Sequence, residues 1–183
     1  SNACPTRGKT TQQLKDAGLI DSAGNLATEN DAAAVWFGTP WRMPTAAEFD
    51  GLVDNCDTMW MEKGGVFGRL VTGRGVYSSR SIFLPAAGYG NGNSLYGFGA
   101  NGNYCSSTPR PNGPASALYL GFATSDFYRS YLGRESGQSV RPVRGCAEVG
   151  TMHVGGMTHL SLDLRTGDRV SAGTEELTFS NLW

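Results

Sequence analysis

One stretch narrows the choice of folds more than any other: Trp41-Arg42-Met43-Pro44-Thr45-Ala46-Ala47-Glu48-Phe49. Pro44 pushes the residue before it into an extended conformation, so no helix runs through Met43. Thr45 is then placed as an N-cap. Glu48, three residues on, can reach back to the Thr45 amide and complete a capping box. Phe49, Leu52, Val53 and Cys56 recur at the i, i+3, i+4, i+7 spacing of one helical face. The chain must therefore pass here from an extended segment, anchored by a Trp41 expected to be buried, into an amphipathic helix from about Thr45 to Cys56. Arg42 is expected to pair with an acid, Glu48 or Asp50.

Composition excludes more than it selects. A chain of 183 residues suits one domain with an extension. A formal net charge of -1, with only 17% charged residues, points to neither nucleic acid nor an anionic membrane surface. Glycine is abundant at 26 residues, and 7 Tyr, 8 Phe and 4 Trp are spread along the chain. That mixture predicts a loop-rich, β-containing domain and argues against disorder. No apolar run approaches the roughly 18 residues that a membrane-spanning helix needs. Ser1-Asn2-Ala3 reads as the remnant of a cleaved expression tag and carries no fold information. Cys4, Cys56, Cys105 and Cys146 form no C-x-x-C pair, which argues against a zinc ribbon or a thioredoxin-type motif. They leave open two disulfides in any of the three connectivities, or unpaired thiols, with Cys56 as a core residue of the helix face.

Around the Trp41 stretch the pattern predicts short elements. A helix over Thr10–Ala17 would be capped by Thr10 or Thr11 and ended by Gly18. Asp21-Ser22-Ala23-Gly24-Asn25 is a turn cluster. Glu29 to Trp36 reads as helix, with an acidic first turn and an alanine run. Thr58–Glu62 and Val66–Val71 read as strands around Gly64-Gly65, and Ser81–Pro85 as another. Further strands are expected at Tyr104–Thr108, Ala115–Ala123, Phe127–Leu132 and Gln138–Arg144. Pro142 gives the last an edge or bulge position. In Ala115–Ala123, Leu118, Leu120 and Phe122 face one side, and Tyr119 and Gly121 the other. Leu160, Leu162 and Leu164, a turn at Thr166-Gly167-Asp168, and Leu177 with Phe179 predict a hairpin or meander from about Thr158 to Trp183.

Several of these segments follow one another in a known order. Leu14-Lys15-Asp16-Ala17-Gly18-Leu19-Ile20-Asp21 precedes Gly24-Asn25-Leu26, then Asp31-Ala32-Ala33, then Trp41-Arg42-Met43-Pro44-Thr45 with Glu48-Phe49. Ile82-Phe83-Leu84-Pro85-Ala86-Ala87-Gly88-Tyr89, Ser106-Ser107-Thr108 and Ser139-Val140-Arg141-Pro142-Val143-Arg144 complete the series. The series resembles the Fibrobacter succinogenes major paralogous domain family of Bacteroidetes over about residues 10 to 146. Cys105 stands where the family usually has an aromatic residue before its Ser-Ser-Thr. The family's usual upstream segment has no counterpart, and the C-terminal hairpin is a candidate to replace it. The resemblance implies an α+β fold like that of C-type lectins and formylglycine-generating enzymes, with twisted antiparallel strands, two to three short helices and long loops. It implies an exported domain displayed at the cell surface, often within a larger protein. On this reading residues 1–9 are tag and N-terminal segment, 10–146 the lectin-like domain, and 147–183 a β-hairpin extension packing on it.

Gly97-Phe98-Gly99-Ala100-Asn101-Gly102 fits G-x-G-x-x-G, but a β-prone segment follows where a dinucleotide site needs a helix. A loop with positive-φ glycines is the expectation. His153 and His159 share a strand face, yet two ligands rarely make a metal site. Cys105 has no histidine nearby in sequence to activate it. Nothing matches the cysteine pair of formylglycine-generating oxidases or the calcium-binding tripeptides of sugar-binding lectins. No catalytic residue, cofactor or metal is therefore expected, an enzyme related to those oxidases being the least favoured alternative. The best candidate surface is the Gly88–Tyr104 loop, with Tyr89, Asn91, Asn93, Tyr96, Phe98, Asn101, Asn103 and Tyr104. Aromatic faces suit sugar rings or apolar side chains, and asparagine amides both donate and accept. Packing of these aromatics inside the loop is the competing expectation. Tyr128, Arg129, Tyr131 and Arg134 form a second candidate patch. The sequence thus points to a binding module for a glycan or a surface protein, or alternatively to a structural or adhesion module of a larger protein.

Overall fold

The structure is a computed structural model that describes residues 9–111, 113 and 116–145, together with the backbone of 169–172 and 175–178. The chain divides into two units, Ser1–Val143 and Arg144–Trp183. Both helix and sheet are present in the first, and its sheets are small and antiparallel.

The helices begin where their caps put them. α1 (Thr11–Asp16) carries a capping box between Thr10 and Gln13, and Gly18 follows it at φ 65°. The single helix expected over Glu29–Trp36 is broken in two. A 3-10 turn spans Thr28–Asn30, and α2 (Ala32–Phe37) starts afresh because Asp31 caps it, accepting the Ala33 and Ala34 amides at 2.8 and 3.1 Å. α3 (Ala46–Asn55) has the expected capping box of Thr45 and Glu48. It turns Phe49 into the core, with Leu52, Val53 and Cys56 packed against it.

Before α3 lies β1 (Trp41–Arg42), and here one expectation fails. Trp41 is 39% exposed, while Met43 is buried. Asp31, itself buried, accepts the Met43 amide with both carboxylate oxygens, at 3.0 and 2.8 Å. These hydrogen bonds hold Met43 inside, whereas Trp41, whose amide donates to the Gly38 carbonyl in the turn after α2, stays at the surface. Arg42 pairs as expected, its guanidinium bridging both oxygens of Glu48 at 2.7 Å.

Two three-stranded sheets and α3 enclose the core. The first sheet is β2 (Cys56–Lys63), β3 (Val66–Gly73) and β4 (Ser81–Pro85). Gly64 and Gly65, at φ 60° and 79°, form the tight two-residue turn that right-twisted hairpins favour. The second is β7 (Gly102–Pro109), β8 (Ser116–Phe122) and β9 (Phe127–Gly133). Between β4 and β7 the expected loop contains a hairpin, β5 (Tyr89–Asn91) and β6 (Ser94–Tyr96). Phe49, Val71, Leu84, Ala86, Tyr104, Leu118, Leu120 and Phe122 form one buried cluster. Buried Arg69 ties the sheets together, donating to the carbonyls of Ala123 and Thr124 and to the Thr58 hydroxyl.

The strand expected over Gln138–Arg144 survives only as β10 (Val143–Arg144), at the unit boundary, with a lone bridge from Ser139 to Tyr104. Pro142 has no amide hydrogen to extend the ladder. In the second unit β11 (Arg169–Ala172) pairs antiparallel with β12 (Glu175–Thr178). The strand holding Leu177 thus pairs with Arg169–Ala172. Leu160, Leu162, Leu164, Phe179 and the turn at Thr166-Gly167-Asp168 lie outside the described residues, as do Cys4, Cys146, His153 and His159. Among the described residues no helix is long and apolar enough to cross a membrane. Val35, Trp36 and Phe37 at the end of α2 are 64%, 84% and 64% exposed, a cluster of apolar side chains in contact with water.

Two consequences can be measured. Asp31→Ala strips three buried amides of their acceptor and should cost about 3 kcal/mol or more in urea unfolding. The hydrogen bond from Arg42 holds the Glu48 carboxyl below its ordinary value. That stabilisation is present above the ordinary glutamate range and is lost as the pH falls through the lowered folded value. Glu48→Gln should therefore flatten the acid side of the stability curve, with a loss of about 1 kcal/mol at neutral pH because both partners are partly exposed.

Candidate functional site

The outer face of the second sheet is built of tyrosines. On β8, Tyr119 and Gly121 point away from the core cluster that holds Leu118, Leu120 and Phe122. Opposite Gly121 on β9 stands Tyr128. A side chain at 121 would collide with its ring, since a Cβ there would lie 2.8 Å from Tyr128 Cζ. Glycine therefore lets Tyr128 lie flat across the strand, with its ring edge-to-face with Tyr119 at 6.3 Å. The hairpin β5–β6 adds a cross-strand pair, Tyr89 stacked on Tyr96 at 5.6 Å. Gly90 of the hairpin exchanges backbone hydrogen bonds with Gly137, and Ser139 bonds to both Asn103 and Cys105 of β7, so the hairpin is tied to the sheet through residues 137–139.

Burial pushes the Tyr119 phenol up to about 12, aided by its hydrogen bond with Tyr128 and by the nearness of Tyr89. Tyr89, Tyr96, Tyr119 and Tyr128 thus make one aromatic cluster. Tyr96 and Tyr128 are 48% and 42% exposed. Phe98 is 74% exposed, and Asn91 and Asn93 are exposed at the hairpin tip.

Other expected members stand elsewhere. Asn103 and Tyr104 are buried at 7% and 4% exposure and offer no surface to a ligand. Strand alternation sends Tyr104 into the core, where its hydroxyl donates to the Pro85 carbonyl at 2.8 Å. Asn101 closes the Gly97–Asn101 turn, and its side chain packs over Gly97. That turn opens strand β7 and no helix, and Gly97 and Gly99 have φ of 67° and 74°, so the G-x-G-x-x-G pattern is a loop as expected.

The second candidate patch is divided by the sheet. Tyr128 faces outward, whereas Arg129 and Tyr131 stand opposite Leu120 and Leu118 on the other face. Arg129 there binds Asp50 and Asp54 of α3. Tyr131 lies under the Arg110 guanidinium at 4.8 Å, and Arg134 donates to the Ser116 carbonyl. Successive strand residues cannot share a face, and that alternation could have separated Tyr128 from Tyr131 in advance. The same rule would have added Tyr119, which the sequence reading placed on the outer face without joining it to a site.

Cys56 and Cys105 are free thiols. Burial pushes Cys105 up to about 11, and its thiol donates to the Ser139 carbonyl, so it is protonated at neutral pH. Among the described residues no three His, Cys, Asp or Glu side chains gather as a metal site would need. No protein-family model, no curated protein and no solved structure matches this chain.

Tyr104 also rises to about 12, through burial. Both phenols keep their protons longer in the folded state than an exposed tyrosine, which ionises near 10. Their contribution to stability is intact below pH 10 and is lost as the pH climbs toward 12. An absorbance titration should show part of the tyrosine change delayed to a step that coincides with alkaline unfolding by circular dichroism. Tyr119→Phe should shrink that later step.

Proposed function

We propose that this chain is an exported, C-type-lectin-like binding module that recognises a glycan through its tyrosine face. The observation that carries the reading is the aromatic cluster in which half-exposed Tyr96 and Tyr128 are backed by Tyr89 and the buried Tyr119, with Phe98, Asn91 and Asn93 also exposed. Sugar rings present C–H faces that stack on aromatic rings and hydroxyls that need both donors and acceptors. Tyrosine hydroxyls and asparagine amides provide both, and no carboxylate or cation is needed for such a contact.

Support for the family resemblance comes from how its scattered segments meet. The Ser107 amide and hydroxyl both donate to the Pro44 carbonyl. Thr108 donates to Asn25 at 2.6 Å and accepts the Ala46 amide. Leu26 donates to the Ser107 carbonyl, and Asp31 holds Met43. Segments far apart in sequence thus converge on one node, as pieces of a shared scaffold would. Surface display of the module follows from that resemblance.

A glycan array probed with the full chain, followed by calorimetry on the hits, tests the reading. Tyr96→Ala and Tyr128→Ala should each weaken binding about tenfold, the loss of one stacked ring. Their circular dichroism should match the parent, because both side chains are already half exposed. A blank array together with specific capture of a surface protein through this face would replace the glycan by a protein ligand. Retained glycan binding in the double variant would remove the face from the site.

A further inference from the structure

A second concavity lies on the core side of the same sheet and does not depend on the tyrosine face. It is a cleft of about 320 Å³. Partly exposed Leu52, Ile82 and Val143 form its accessible walls, and buried Phe49, Leu84, Tyr104 and Leu120 complete the lining. The volume falls at the low end of the range typical of small-molecule sites, and the walls are almost wholly apolar.

The open end carries two charges, half-exposed Glu48 and exposed Arg141. They are not equivalent. Both oxygens of Glu48 are engaged by Arg42, and one also accepts the Thr45 amide. Among the described residues Arg141 makes no hydrogen bond or ion pair, although its charge reaches the Tyr104 phenol in the lining. The one charge at the mouth left for an incoming molecule is thus positive.

We propose that this cleft binds a small monocarboxylic acid, its apolar body on Leu52, Ile82 and Val143 and its carboxylate on the Arg141 guanidinium. Burial of the body supplies the driving force, and a forked guanidinium suits a carboxylate better than a hydroxyl or an ammonium. A cationic head would meet Arg141 as a like charge. Glu48 could not offset that, because Arg42 already holds it.

Decanoate is the probe. Titrated into the full chain and followed by heteronuclear NMR, it should give saturable shifts at Leu52, Ile82 and Val143. Decanol should bind about tenfold more weakly and decylammonium more weakly still. Arg141→Gln, an exposed position that should leave the fold intact, should bring decanoate down to the affinity of decanol and leave decanol unchanged. Leu52→Trp, which fills the cleft, should abolish binding of both, with circular dichroism as the check on folding. The proposal is overturned if decanoate shifts only exposed apolar residues such as Trp36 and Phe37. It is equally overturned if Arg141→Gln keeps the preference for the acid, or if folded Leu52→Trp binds as the parent does.

Discussion

The carboxylate of Asp31 is the constraint on which the arrangement of the first unit depends. A buried charge is tolerated only where hydrogen bonds surround it. Here the amides of Ala33, Ala34 and Met43 do so. The same two oxygens start α2 and hold the chain extended ahead of Pro44. They thereby set the direction from which α3 enters the core. Ser107 and Thr108 then grip the residues on either side of Thr45, so strand β7 is joined to the beginning of α3. Local capping and long-range attachment meet within a few residues.

With α3 and β7 placed, the two faces of the β7–β8–β9 sheet acquire different characters. Leucines and Phe122 turn toward α3 and the first sheet. Tyr119 and Tyr128 turn outward, and the hairpin β5–β6 brings Tyr89 and Tyr96 beside them. The outer face is aromatic. The inner side ends in an apolar cleft with a guanidinium at its mouth. One sheet thus presents two surfaces of different chemistry.

Much of this was legible from local pattern. The capping boxes of α1 and α3, the Gly64-Gly65 turn and the pairing of β8 with β9 all follow from residues close in sequence. The errors share a cause as well. Trp41 was expected inside, yet the Asp31 hydrogen bonds anchor Met43 two residues on, and Trp41 stays in the turn that follows α2. Asn103 and Tyr104 were grouped with a surface loop because glycines and asparagines precede them, yet they already belong to β7. Tyr128, Arg129 and Tyr131 were grouped by nearness in sequence, although a strand separates such neighbours.

The sequence by itself determined where helices begin, where hairpins turn and which residues alternate along each strand. Those features depend on dihedral preferences and on hydrogen bonds spanning a few residues. Only the tertiary structure decided which alternating set became the core, that Asp31 would serve a strand as well as its own helix, and that tyrosines from two separate segments would form one face. Those outcomes depend on contacts between residues far apart in the chain, where the deciding energy is burial and the satisfaction of buried polar groups.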